Sequence, residues 1–241
     1  MSYVSKSVDK HNAWRQPGKI VLAVRAGCVL RFAAFDERQN QVEVMQNEAY
    51  YKQLREDIVF SETLCGQTLT FHTSWGIFSP RAIDEGTHLL LRHMPVPEDA
   101  DCLDLGCGYG PIGLTMARLA PQGRTLMVDK DFLAIEYANK NARVNGIGNA
   151  EAILSNGFSH VGDRRFDLIA SNIPAKVGKE LLYLFLHDAY QHLNPGGRIY
   201  MVTITGLRQF IKRVSMDVFG NYDKVKQGKN YTVAMAERPA S

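Results

Sequence analysis

Leu103-Asp104-Leu105-Gly106-Cys107-Gly108-Tyr109-Gly110-Pro111 reads as an apolar strand that ends on an acid, passes through three glycines at alternating positions and opens a helix at proline. Glycine tolerates positive φ and lets a ligand approach the backbone closely. Proline at the first helical position gives up an N–H that would have had no partner there. The turn is therefore expected to leave free backbone N–H groups beside one ligand, at the positive end of a helix. A nucleotide-like cofactor fits that description.

Working outward, the chain from Asp101 alternates strand and helix, the pattern of a parallel sheet covered by helices on both faces. The periodicity predicts strands at 102–105, 125–128 (ending on Asp129), 150–154, 166–170 and 198–203, with helices at 111–119, 132–144, 179–192 and about 207–218. Asp131 caps the second of these helices and Asn145-Gly146 stops it. Two last runs, 223–226 and 231–236, flank Gly228 as a β-hairpin. Upstream, residues 1–19 are polar, and 20–24, 29–35 and 42–45 read as a small β-meander. A helical turn at 48–54 and an alternating strand at 68–73 follow. A helix is then expected from about Ala82 to His93, with Leu89, Leu90, Leu91 and Met94 on its core side, closed by Pro95-Val96-Pro97. The expected division is a small β-rich region, residues 1–60, and a main domain, residues 61–241.

The 241 residues are 45% hydrophobic and 22% charged, which excludes a disordered chain. Net charge is +3, and its distribution matters more than its size. Lys6, Lys10, Arg15, Lys19 and Arg25 stand against Asp9 at one end, and seven cations from Arg208 to Arg238 stand against three acids at the other. Basic ends permit an anionic partner, although such runs also serve as solvated faces. The four cysteines have no C-x-x-C spacing, so neither a zinc site nor a disulfide framework is expected. No apolar run approaches a membrane span, and the expectation is a soluble, cytoplasmic protein without a metal.

Ligands of an open parallel sheet sit at the carboxyl ends of the strands, where strand order reverses. Four successive strand ends here carry special residues: Asp104 with its glycines, Asp129, Asn156, and Asn172-Ile173-Pro174. Asp104 can accept hydrogen bonds from a ligand ammonium or from backbone N–H groups that shape the loop. Asp129, about twenty residues past the turn, suits the two hydroxyls of a ribose, with a plain helix cap as the bland alternative. Asn156 can read an adenine edge or only shape a turn. Gly108 to Gly113 also matches G-x-G-x-x-G, but an acid directly before the glycines would face a pyrophosphate unfavourably, and Asn-x-Pro has no evident task in hydride transfer.

Taken together, these motifs resemble the class I S-adenosylmethionine-dependent methyltransferases. The segment Gly76-Ile77-Phe78-Ser79-Pro80-Arg81-Ala82-Ile83-Asp84-Glu85-Gly86-Thr87 is similar to the one preceding the cofactor motif in the small methyltransferase domain family, which includes ribosomal-RNA guanine-N2 methyltransferases. The resemblance spans about Tyr50 to Glu237. It implies a seven-stranded, mostly parallel Rossmann-like α/β sheet with helices on both faces and a C-terminal antiparallel hairpin. It further implies S-adenosyl-L-methionine held by Asp104, Gly106, Cys107, Gly108, Gly110, Asp129, Lys130 and Asn156, with Asp84 and Thr87 bordering the carboxylate end. Asn172, Ile173 and Pro174 match the catalytic Asn-Pro-Pro-aromatic motif, with Ile173 in place of the first proline and Ala175 in place of the aromatic. Phe78, Ala175, Lys176 and Lys179 fall on the substrate side, and RNA is the implied partner. Methylation of an amide or small molecule, and a binding module without catalysis, are the alternatives.

Overall fold

The computed structural model describes residues 47–174 and 178–240, together with two short strands, β1 (Val24–Arg25) and β2 (Cys28–Val29), which pair antiparallel. The rest of the expected meander at 20–24, 29–35 and 42–45 lies outside the described residues, as do Ala175 and Lys176. The chain divides into two compact units, one ending at Leu54 and containing α1 (residues 47–54), the other running from Arg55.

The second unit opens with a hairpin, β3 (Ile58–Leu64) paired to β4 (Gln67–Thr73). Sequence alternation reveals only the second of these strands. In β3 Val59 faces solvent and Glu62 faces inward, which blurs the period-2 signal. The helix expected from Ala82 begins three residues later, as α2 (Glu85–His93). Asp84 is extended and its side chain accepts the Thr87 N–H, so it is the N-cap and fixes the start.

Then follow β5 (Cys102–Leu105), α3 (Pro111–Leu119), β6 (Thr125–Asp129), α4 (Phe132–Val144), β7 (Ala150–Leu154), β8 (Phe166–Asn172), α5 (Lys179–His192), β9 (Leu193–Ile204), α6 (Arg208–Phe219), β10 (Asp223–Gln227) and β11 (Tyr231–Glu237). The seven strands β5 to β11 form one sheet in the order β10-β11-β9-β8-β5-β6-β7, parallel through β9 and antiparallel at the hairpin. β8 continues two residues past the expected end, to Asn172. β9 starts five residues before the expected Arg198, because Asn194-Pro195-Gly196-Gly197 is accommodated as a shift in its register with β8.

Side-chain alternation divides the core into two layers. Cys102, Met127, Ala152 and Leu168 pack with Leu90 of α2, Ile112 of α3 and Ile135 of α4, whereas Leu103, Leu105, Val128 and Ile169 pack with Leu186 of α5 and Val214 of α6. The β3–β4 hairpin joins the first layer through an unusual edge. Asn141, fully buried on α4, accepts the His72 N–H at 2.8 Å and donates to the His72 carbonyl at 2.9 Å. Asn145, one turn on, does the same for Thr70 at 2.8 and 2.7 Å. Two amide side chains thus act as a surrogate strand and cover the edge of β4.

Candidate active site

Strand order reverses at β5, which has β6 and β7 on one side and β8 and β9 on the other. A cavity of about 330 Å³ opens at the carboxyl ends of these strands. Its wall brings together Phe78, Asp84, Thr87, Gly106, Cys107, Gly108, Asp129, Lys130, Asn156, Asn172, Ile173 and Pro174 from six separate stretches of the chain. Asp104, Gly110 and Lys179 are not part of that wall.

The glycine turn makes the cradle. Gly106 and Gly108 have φ of +80° and +54°, and a Cβ on either would meet nothing within 4 Å, so open space lies beside both. The N–H groups expected to be free are engaged. Those of Gly106 and Cys107 donate to the Val128 carbonyl at 2.9 and 3.0 Å, and that of Gly108 donates to Asp129 Oδ2 at 2.9 Å. The turn folds back onto the end of β6, so close backbone approach is what it offers a ligand.

Asp104 lies beneath the cradle, wholly buried, on the face that α3 covers. Gly110, the N-cap of α3, has no side chain to satisfy the first turn, and Asp104 Oδ2 takes that place by accepting the Gly113 N–H at 2.8 Å. Of the two roles open to Asp104, shaping the loop is the one the geometry displays. Burial pushes its carboxyl up to about 7, against the lowering effect of the Gly113 hydrogen bond and with the charge of Asp129 adding to the rise. Cys107 is also buried, and burial with the two acids raises its thiol well above the ordinary range, which removes it as a nucleophile.

Asp129 is held at both oxygens, Oδ2 by Gly108 and Oδ1 by the Asp131 N–H at 3.0 Å. Each oxygen keeps a lone pair beside the cavity, so the acid is rigid and still able to accept. Asn156 sits exposed on the wall after β7, and the loop there is built by Ser155, whose hydroxyl donates to the Gly157 carbonyl at 2.7 Å and accepts the His160 N–H at 3.1 Å. Sequence reading missed Ser155, and also Tyr109, Leu181 and Phe185, which line the same space. No spacing signals them, because they come from elements read only for their core side.

Asn172 ends β8 with its amide fixed. Nδ2 donates to Asp84 Oδ2 at 2.7 Å, Asp84 Oδ1 at 3.0 Å and Thr87 Oγ1 at 3.1 Å. The Ile173 N–H donates to the Val202 carbonyl at 2.9 Å, which holds the end of β8 against β9. Phe78 is 69% exposed at the cavity, on a turn in which Ser79 takes φ +49°. That left-handed residue is held by its own hydroxyl, donating to the Ala82 carbonyl at 2.6 Å, and by the Tyr109 hydroxyl, donating to the Ser79 carbonyl at 3.2 Å. The Lys179 ammonium lies 5.8 Å from the centre of the Phe210 ring. Among the described residues no cluster of His, Cys, Asp and Glu could hold a metal, and no helix is long and apolar enough to cross a membrane.

A glycine cradle and a doubly anchored acid at the switch point of a parallel sheet closed by an antiparallel hairpin are the architecture of the S-adenosyl-L-methionine-dependent methyltransferases. Residues 68–235 match the methyltransferase small domain, and the chain belongs to that family. It is 31% identical over 183 residues to the uncharacterized protein YbxB of Bacillus subtilis, covering 74% of this chain and 90% of that protein. It is 32% identical to ribosomal RNA small subunit methyltransferase C of Hamiltonella defensa, over 67% of this chain and 48% of the relative. Among solved structures, the T. thermophilus 16S rRNA guanine-N2 methyltransferase in complex with AdoMet and guanosine superposes with a TM-score of 0.68 at 28% identity, over 75% of this chain and 50% of that one. The chain thus spans about half the length of these two rRNA methyltransferases.

Proposed function

We propose that this protein methylates an exocyclic amine of RNA, guanine N2 of ribosomal or transfer RNA being the substrate that fits. The observation that carries the reading is the fixed polarity of Asn172. A carboxylate has no proton to give, so the amide must turn its Nδ2 toward Asp84, which leaves Oδ1 as an acceptor for the cavity. An acceptor selects a substrate N–H.

In this reading Gly106, Cys107 and Gly108 lie against the methionine part of the cofactor, Asp129 with Lys130 beside it takes the ribose, and Asn156 meets the adenine. The open space at the two glycines fits such a group. When bound, the cofactor supplies a methyl group on a positively charged sulfur. The lone pair of an exocyclic amine is delocalised into its ring, and donation of both N–H groups, to Asn172 Oδ1 and the Ile173 carbonyl, turns that pair toward the methyl carbon. With the cofactor in place, the S–C electron pair would stay on sulfur as the amine took the methyl group, and the amine proton would pass to water. The same two acceptors stabilise the positive charge that develops on nitrogen. No strong base is required. Pro174 follows the acceptors with a fixed φ, Phe78 stacks on the target base, and Lys176 and Lys179 supply positive charge for the phosphate backbone. The rRNA methyltransferases among the relatives support an RNA substrate, and the cytoplasm is the compartment this function calls for.

Ala175, where the family motif has an aromatic ring, favours a second reading, an amide or small-molecule N-methyltransferase. Labelled methyl transfer separates the two. RNA incubated with enzyme and labelled cofactor is digested to nucleosides, and label is expected in N2-methylguanosine. Binding that weakens steeply with salt supports RNA contact. Label appearing only in protein or small molecules would sink the RNA assignment.

A further inference from the structure

We infer that Asp84 is the positioning residue of the transfer step, setting both the direction and the strength of the Asn172 acceptor; this rests on the amine-methylation reading above. The Asn172 Nδ2 has two protons and three oxygens around it: both carboxylate oxygens of Asp84 and the hydroxyl of Thr87, which is itself 4% exposed. The flipped amide would set Asn172 Oδ1 against the carboxylate, an arrangement of acceptors without protons. One amide orientation is thereby selected. Neutral asparagine at the same place without such a partner would sample both, and in the wrong one it would present a donor to a substrate N–H.

The charge adds a second effect. A carboxylate accepting both amide protons favours the resonance form with more negative charge on Oδ1, and hydrogen bonds in a chain strengthen one another in this way. The oxygen facing the cavity is then a better acceptor at the moment the substrate nitrogen becomes positive. Asp84 is also suited to hold still. Its Oδ1 accepts the Thr87 N–H at 2.7 Å as the N-cap of α2, so the helix fixes the acid and the acid fixes the amide. Sequence similarity places Asp84 at the carboxylate end of the cofactor; the hydrogen bonds of the structure aim it at Asn172.

The cap and the positioning role separate experimentally because asparagine caps helices about as well as aspartate. For Asp84→Asn the expected outcome is an unchanged unfolding midpoint and a turnover at saturating cofactor lowered about 10- to 100-fold, the scale of losing an outer partner that orients a reacting group. The stronger test reverses the pair. Asn172→Asp alone sets two carboxylates against each other and should lose turnover about 10³-fold, the upper end for a lost preorganised group. Adding Asp84→Asn lets the new amide donate to the new carboxylate, whose other oxygen faces the cavity, and should recover at least about tenfold of that loss.

Turnover of Asp84→Asn equal to wild type overturns the inference. So does a loss matched by a fall in the unfolding midpoint, or a double variant no better than Asn172→Asp. Failure of the underlying reading looks different: the unmodified enzyme would then transfer no methyl to any amine of RNA, whatever stands at position 84.

Discussion

Asp129 and Gly108, 21 residues apart in sequence, are joined by a 2.9 Å hydrogen bond from the glycine N–H to Oδ2. It ties the loop after β5 to the end of β6, so the cradle and the proposed ribose acceptor are held as one unit. The second oxygen, anchored by Asp131, completes the hold. A rigid acid loses little entropy when two hydroxyls bind it, which is how preorganisation contributes affinity.

Asp129→Ala removes the proposed ribose acceptor and the anchor of Gly108 together. Cofactor affinity by calorimetry should fall at least about tenfold, since a hydrogen bond to a charged group is worth about 1.5–3 kcal/mol. Catalysis at saturating cofactor should fall far less. A calorimetric affinity equal to wild type removes Asp129 from the site.

Gly113→Ala tests the close approach of α3 to β6. A Cβ there would stand 2.4 Å from Met127 Cγ, 2.7 Å from its sulfur and 3.1 Å from Asp104 Oδ2. Met127 is fully buried and has nowhere to swing. Overpacking of this kind costs about 1–3 kcal/mol. Urea unfolding should show that loss with an unchanged slope; a stability equal to wild type would mean that α3 can shift away from the sheet.

Most of the sheet domain was legible in the sequence for identifiable reasons. α3, α4 and α5 have the bounds expected of them because Pro111 opens one, Asp131 caps the next and apolar periodicity is clear in all three. β5 and β7 are short apolar runs between turn signals. The fold class and the cofactor followed from those elements and the strand-end residues, and the family match bears both out. What stayed illegible is pairing between distant polar groups. Asp84 and Asn172 are 88 residues apart, and Asn141 and His72 are 69 apart. Such pairs leave no period in the sequence, because a side-chain amide that bonds to a backbone or a carboxylate across the fold needs only one residue of the right type at each end. For the same reason the sequence left Asp104 open between a ligand ammonium and the backbone N–H groups that shape the loop, and the bond to Gly113 shows the second.

Phe78 supplies a prediction about substrate. Its ring is mostly exposed, so Phe78→Ala should leave folding intact. If it stacks on the target base, the loss is about 1–3 kcal/mol. The KM for RNA should rise in proportion while the affinity for cofactor stays put. An unchanged KM assigns the stacking surface elsewhere.

Asp104 predicts a pH dependence of stability. An unfolded aspartate ionises near 3.8, whereas burial holds the folded group protonated up to about 7. Between those values the unfolded chain binds fewer protons than the folded one, so stability falls as pH rises and levels off above about 7. Asp104→Asn keeps an acceptor for Gly113 and cannot ionise. The difference in urea midpoint between the variant and the wild type should therefore widen in favour of the variant from pH 5 to pH 8. A constant difference across that range would show that Asp104 ionises normally in the folded protein.

Asn141 and Asn145 bond to β4 in the same manner and differ in burial, which gives a graded prediction. Asn141 is wholly buried and also donates to the Tyr109 carbonyl at 2.9 Å, so Asn141→Ala takes the side-chain partner from one N–H and two carbonyls, that of Tyr109 in a buried contact. Each such group costs about 1–3 kcal/mol. Asn145 is half-buried, and water can replace part of what its amide provides, so Asn145→Ala should cost about 1 kcal/mol. Asn141→Asp should be worse than Asn141→Ala, because a carboxylate satisfies the His72 N–H but turns its other oxygen toward two carbonyls. The order of urea midpoints expected is wild type, Asn145→Ala, Asn141→Ala, Asn141→Asp. Equal losses at 141 and 145 would mean that the edge of β4 does not depend on the buried amide, and that apolar packing alone seats the hairpin on α4.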